Sequence, residues 1–169
     1  HADDRQREAI ALARAYSVPH TPAGAREIGL ARAFAVEPPD PKLLKQARGL
    51  GFAQVVQDTD GTMRKYALMI LYDNRLHPSV ALMGLSLLFK VPLSDMEVHP
   101  GRYIHMPGAT WRTPSGMEAT ADIRIPVDRF LRMRVNWAGD YLDTFRHVPA
   151  SALLRFRAED LIRERLRGS

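Results

Sequence analysis

The chain has 169 residues, 46% of them apolar and 25% charged, enough to bury one sizeable core and too apolar for a disordered segment. Its formal charge of +5 comes almost wholly from arginines scattered along the chain, which argues against a nucleic-acid groove, and the absence of cysteine excludes a disulfide framework or a thiolate metal site. The apolar run from Val80 to Phe89 is about half the ~20 residues a spanning helix needs, and HADDRQREAI lacks the order of a signal peptide, so this stretch is expected to be soluble, with any membrane segment lying outside it.

Residues Asp3 to Tyr16 place Ile10, Ala13 and Tyr16 at three-residue steps behind capping aspartates, which predicts an amphipathic helix ended by SVPHTPAG. EIGLARAFAVEPP, from Glu27, predicts a strand with Leu30, Phe34 and Val36 on one face; Arg32 breaks the alternation and keeps helix as an alternative. Asp40 and Pro41 start a short helix to about Arg48, stopped by Gly49 and Gly51. FAQVVQ and TMRKYALMILY are strand-like runs joined by DTDG, whose Asp and Gly tolerate positive φ, so a β-hairpin is expected.

A second turn at Asp73-Asn74 leads to a helix capped by Ser79, apolar nearly all round and therefore expected to be buried, with Leu82, Met83, Leu85 and Phe89 in the core. Beyond Val91 the chain reads as β-rich. MEVHPGRYIHM bends at Pro100-Gly101; PGATWRTPSGM, between Pro107 and Met117, reads as a loop exposing Trp111 and Arg112. ATADIRIPV alternates Ile123 and Ile125 with Asp122 and Arg124, and FLRMRVNW sets Leu131, Met133, Val135 and Trp137 against Arg132, Arg134 and Asn136. ASALLRFRAEDLIRERLR predicts one or two helices. The fold class these elements predict is α/β: a single domain over residues 1–169 with a mixed, largely antiparallel sheet flanked by helices.

Asp58 and Asp60 could offer oxygens to calcium, but an EF-hand loop needs a third acidic position before its glycine and a distal glutamate, so a turn is the better reading. One glycine leading into a strand does not make a phosphate cradle. Arg64 stands where it can pair back to Asp58 or Asp60. If Pro100-Gly101 is a two-residue turn, His99 faces Arg102 and His105 lies opposite Met96. That separates the histidines, argues against zinc, and leaves a pH-sensitive histidine open. No serine sits in a Gly-x-Ser-x-Gly elbow. Trp111 and Arg112 are a pair of the kind that anchors interfaces, and Asn136 could stitch a loop or touch a ligand.

Several segments carry a shared pattern. In GFAQVVQDTDGTMRKYAL, Gly51, Phe52, Asp58, Asp60, Gly61, Arg64 and Leu68 fit GF-x-N-x-x-x-D-x-DG-x-x-R-x-x-x-L, with Gln54 in place of asparagine. LHPSVALMGL contributes Pro78 and Ser79, IPVDRFLRMRVNWAG contributes Ile125, Pro126, Asp128, Asn136, Trp137 and Gly139, and DTFRHVPASALL follows. Over about residues 49 to 154 the chain thus resembles a CHASE-type extracellular sensor domain of the second class. An additional first strand and helix and a last Ile-Gly strand, usual in that family, are expected to be absent.

The resemblance implies an extracytoplasmic, non-catalytic module without a cofactor, belonging to a membrane-bound cyclase, histidine kinase or serine/threonine kinase. Its partners would be a small ligand or a periplasmic protein and a second copy of itself, with no nucleic acid, and with the membrane reached only through segments outside this stretch. The ligand-binding candidates are Arg64, Trp111, Arg112 and Asn136. The alternatives are a soluble binding or scaffold module, and a hydrolase with an unrecognised site.

Overall fold

The computed structural model describes residues 4, 7, 10, 11, 14–18, 29–35, 37, 39, 40, 43, 46–55 and 57–139. The chain divides into two compact units, His1–Val135 and Asn136–Ser169, the second described from Asn136 to Gly139. The predicted helices around residues 150–167 lie outside the described residues.

Asp4, Arg7, Ile10, Ala11, Arg14 and Ala15 are helical, and Ile10 alone among them is half-buried, as the amphipathic spacing predicts. The predicted strand after Glu27 shrinks to one parallel bridge. Arg32 stands opposite Leu71, Leu71 donates to the Ala31 carbonyl at 2.9 Å, and Ala33 donates to the Leu71 carbonyl at 3.0 Å. Leu30 is buried but Phe34 is 93% exposed, because pairing lasts for a single residue and the chain bends before a common face is established. In the next segment Leu43 is helical, held by bonds that span three residues, Leu43 to Asp40 and Gln46 to Leu43.

The hairpin expected around DTDG keeps its turn and loses its ladder. Phe52 is held by the chain before the main helix: its N–H donates to the Pro78 carbonyl at 3.0 Å, and its carbonyl accepts from Val80 at 2.9 Å. Gly51 makes this approach possible, since a Cβ there would lie 2.5 Å from the Val80 nitrogen. The following strand therefore pairs elsewhere. Strand β1 (Lys65–Ala67) runs antiparallel to β7 (Arg132–Arg134), with Ala67 opposite Arg132.

At Leu68 the chain bends into β2 (Met69–Tyr72), which pairs antiparallel with β3 (Arg75–Pro78). Asp73 and Asn74 form the two-residue loop at φ 47° and 59°, the left-handed pair that matches strand twist. Ser79 then caps α1 (Val80–Leu88), its hydroxyl accepting from the Leu82 N–H at 3.2 Å. Leu82 and Met83 are buried and Leu85 and Phe89 pack against the core. The helix is not buried all round, however. Val80, Leu87 and Leu88 are exposed, because only one side of α1 meets the sheets.

Strands β4 (Glu97–His99), β5 (Tyr103–Arg112) and β6 (Glu118–Pro126) form a three-stranded antiparallel sheet. The β4–β5 register corrects the expected one: His99 lies opposite Tyr103 and Glu97 opposite His105. Proline cannot take the positive φ that a two-residue hairpin loop requires at its first position. Instead Arg102 donates to the His99 carbonyl with Gly101 at φ 78°, a type II turn with Pro100 at its first corner, and Arg102 joins the loop.

The segment expected as a loop is strand. Strand β5 continues to Arg112, absorbing Pro107-Gly108 as a bulge between Met106 and Ala109, and the turn is confined to residues 113–117. Trp111 is half-buried with its ring edge-on to Phe89, 5.8 Å between centroids, while Arg112 on the other face is exposed. β6 alternates as predicted, with Ile125 buried and Asp122 and Arg124 exposed. β7 is shorter than predicted, and Trp137 is 63% exposed rather than on a buried face.

The core gathers Leu68, Met69, Leu76, Leu82, Ile104, Met106 and Leu131, all essentially inaccessible. Among the described residues the named strands pair only antiparallel, in three separate groups, and parallel contacts are single bridges at Arg32 and Phe52. The architecture there is mainly sheet with α1 beside it, which keeps the largely antiparallel part of the expected α/β fold, while the strands form three groups and not one sheet.

Candidate functional site

A cleft of about 440 Å³ opens in the first unit, where residues 29–32, the Phe52 segment, β1, the start of β2 and the turn before β7 meet. Its size is that of a small-molecule site. Phe52, Ala67, Ile70 and Phe130 give it apolar walls, and Arg32, Gln54, Asp58, Lys65 and Arg132 give it polar ones.

The β7 side is organised by Asp128. Its Oδ1 accepts from the N–H groups of Phe130 and Arg132 at 2.9 and 3.0 Å, so the carboxylate is fixed by its own turn. Its Oδ2 faces two cations, Arg132 (Nη2 at 2.9 Å, Nε at 3.0 Å) and Lys65 (Nζ at 3.3 Å). Partial burial pushes the Asp128 carboxyl up, but the bonds from Arg132, Phe130 and Lys65 outweigh it and hold the group below the usual carboxylate range. The guanidinium groups of Arg129 and Arg132 lie 4.6 and 4.7 Å from the centre of the Phe130 ring, which orients that ring.

Beside the cleft, DTDG is a charge-locked turn. Asp58 donates to the Thr62 carbonyl at 3.0 Å, Gly61 at φ 78° donates to the Asp58 carbonyl at 2.9 Å, and the Asp60 carboxylate accepts from the Thr62 N–H. Arg64 forks onto both carboxylates, with Nη2 2.7 Å from Asp60 Oδ2 and Nη1 3.2 Å from Asp58 Oδ2. The Arg64 bond, with help from the Thr62 N–H, lowers the Asp60 carboxyl to about 2, and Asp60 and Asp58 raise the guanidinium in return. Both aspartates therefore face a cation supplied by their own segment, just before β1.

A second polar cluster covers the outer face of the three-stranded sheet. The register that places Glu97 opposite His105 brings His99 to the same face. His105 Nδ1 lies 3.2 Å from Glu97 Oε2, and His99 Nε2 lies 3.4 Å from the same oxygen. His105 Nε2, buried, stands 3.4 Å from Asp122 Oδ2 without hydrogen-bonding geometry. Asp122 also accepts from the Gly108 N–H of the bulge at 2.9 Å. The bond from His105, then that from His99, lowers the Glu97 carboxyl; the Gly108 N–H, then His105, lowers that of Asp122. Among the described residues no three His, Asp or Glu side chains converge to hold a metal ion, and no helix is long and apolar enough to cross a membrane.

Of the four residues singled out as ligand contacts, none lines the cleft. Arg64 locks the turn at its edge, Trp111 packs on Phe89, and Arg112 and Asn136 are exposed. Phe52 and Asp58 line the cleft, Gly51 and Ser79 make the close crossing beside it, and Asp128 anchors its β7 wall. Sequence reasoning missed Lys65, Phe130 and Arg132. The available signal was the spacing of Asp128 and Arg132, which matches that of Asp60 and Arg64 four residues apart in a turn.

The profile of the CHASE2 domain family matches residues 3–168, beyond the segment of about 49 to 154 on which the sequence resemblance rests. Comparison with curated proteins and with solved structures gives no match.

Proposed function

The chain belongs to the CHASE2 domain family, a family of sensory domains, and from that premise we propose that it is the non-catalytic, ligand-responsive module of a membrane-bound signalling protein, placed outside the cytoplasm, with a nucleotide cyclase or kinase as output. The observation that carries this reading is the family match over nearly the whole chain. The cleft supplies a place for a small ligand, walled by segments far apart in sequence. A ligand that bound one arrangement of those segments more tightly would shift the balance between two states. Signalling outputs of this kind work as pairs, so the module acts as a homodimer in the full-length protein.

An alkaline-phosphatase fusion after Ser169 in the full-length gene, expressed in bacteria, tests the placement. High phosphatase activity is expected. An abundant, folded fusion without activity would overturn the proposal and favour a soluble binding module. Light scattering on the full-length protein should report a dimer.

A further inference from the structure

We infer that the cleft takes a small organic anion, a carboxylate or phosphate monoester carrying an apolar group; the inference rests on the sensory reading and names the ligand class for it. Among the described residues the lining holds three cations, Arg32, Lys65 and Arg132, against one carboxylate, Asp58. That carboxylate is already engaged by Arg64. Where β1 meets β7, Lys65 and Arg132 share a single oxygen of Asp128, whose other oxygen is occupied by backbone N–H groups. Two positive charges against one negative leave that wall electropositive, and the low-dielectric surfaces of Phe52, Ile70 and Phe130 strengthen the field inside a concave site.

Lys65 is the group placed to respond. Its side chain is 42% exposed and its ion pair, at 3.3 Å, is the longest of the three contacts to Asp128 Oδ2. An incoming carboxylate or phosphate can take the ammonium as a partner while Arg132 keeps Asp128 in place. The apolar part of the ligand then lies against Phe130 and Phe52, where it removes ring surface from water. A cation meets a lining of its own sign, and a neutral polyol gains nothing from that charge.

The test is a titration of the 169-residue chain with phenyl phosphate and benzoate, with benzyl alcohol and benzylamine as neutral and cationic controls, at constant ionic strength set by chloride. Saturable binding of the two anions is expected, with amide shifts concentrated at Ala67, Ile70 and Phe130. Lys65→Gln and Arg32→Gln should each weaken it at least threefold, while Lys90→Gln, remote on the Glu118 pair, leaves it unchanged. Equal binding of benzyl alcohol, or stabilisation by anions that is unsaturable and the same in all three variants, would overturn the inference. An exported domain that binds neither aryl anion overturns this inference alone. A cytoplasmic domain that binds them overturns the sensory placement alone.

Discussion

Gly61 and Leu131 occupy the same position in two turns of one design. Each donates its N–H to an aspartate carbonyl three residues back at 2.9 Å, and each aspartate, Asp58 or Asp128, donates to the carbonyl of the residue beyond at 3.0 Å. Both sit at positive φ, 78° for Gly61 and 57° for Leu131. Gly116 repeats the arrangement between β5 and β6. The design is a type I turn closed by a left-handed residue, which glycine enters without cost and leucine does not. Leu131 is kept there by complete burial of its side chain.

The two positions should therefore respond oppositely to exchange. Gly61→Ala has open space for its methyl and should lose only the backbone term, about 1–2 kcal/mol. Leu131→Gly relieves the backbone but empties a fully buried site, and a net loss of about 2–4 kcal/mol is expected. Urea unfolding of both variants measures the difference; a more stable Leu131→Gly protein would contradict this account of why leucine is there.

Gly51→Ala should cost more than Gly61→Ala despite its smaller conformational demand. The new Cβ meets backbone, 2.5 Å from the Val80 nitrogen and 2.6 Å from the Ser79 carbonyl carbon, and neither can swing aside. The crossing would have to open, at about 2–3 kcal/mol. Ser79→Ala at the same crossing removes the helix cap and should cost about 1 kcal/mol. Thermal unfolding midpoints would rank the three.

Acid should weaken the DTDG turn in a defined window. The Asp60 carboxyl is lowered in the folded chain from 3.8 to about 2, so the folded state binds its proton less readily than the unfolded chain does. The contribution is complete above the unfolded value and disappears as pH falls from about 4 towards 2. Comparison of wild type with Asp60→Asn across that range should show the stability gap closing. Asp60 and Arg64 are both exposed to solvent, so added salt should shrink the gap. A gap that widened on acidification would reverse the sign and refute the pairing.

Glu97 carries the same sign on the other sheet. Its carboxyl is lowered by His105 and His99, so its contribution is present above its ordinary 4.5 and fades below that value. Comparison of wild type with Glu97→Gln should show a stability gap that closes as pH falls below about 4.5, and added salt should shrink it. A gap that stayed constant through that range would show that the 3.2 and 3.4 Å contacts are not formed in solution.

What was legible in the sequence was local. Ser79 as a cap, Asp73-Asn74 as a two-residue turn and the alternation around Ile123 and Ile125 follow from bonds and faces within a few residues, and the structure keeps them. The face carrying Glu97, His99 and His105 turned on one residue. Pro100 excludes the assumed turn, and moving Arg102 into the loop brings every side chain of β4 to a different partner. The second half of β5 reads as loop because Pro107 and Gly108 punctuate it, although a bulge absorbs both. The cleft was out of reach. Lys65, Phe130 and Arg132 come together only through pairing of β1 with β7, and no local pattern announces a partner so far along the chain.

That pairing also sets an order of assembly. Ala67 opposite Arg132 closes a long loop that contains both the β2–β3 and β5–β6 hairpins, each of which needs only a few residues of closure. Entropy favours the short closures first, so β1 and β7 should dock late, onto a sheet and helix already formed. Pulse-labelled hydrogen exchange during refolding should find the β1 amides protected after those of β2 and β5; simultaneous protection would argue against the sequence of events. The cleft, which needs both strands, is then the last surface of the first unit to take shape.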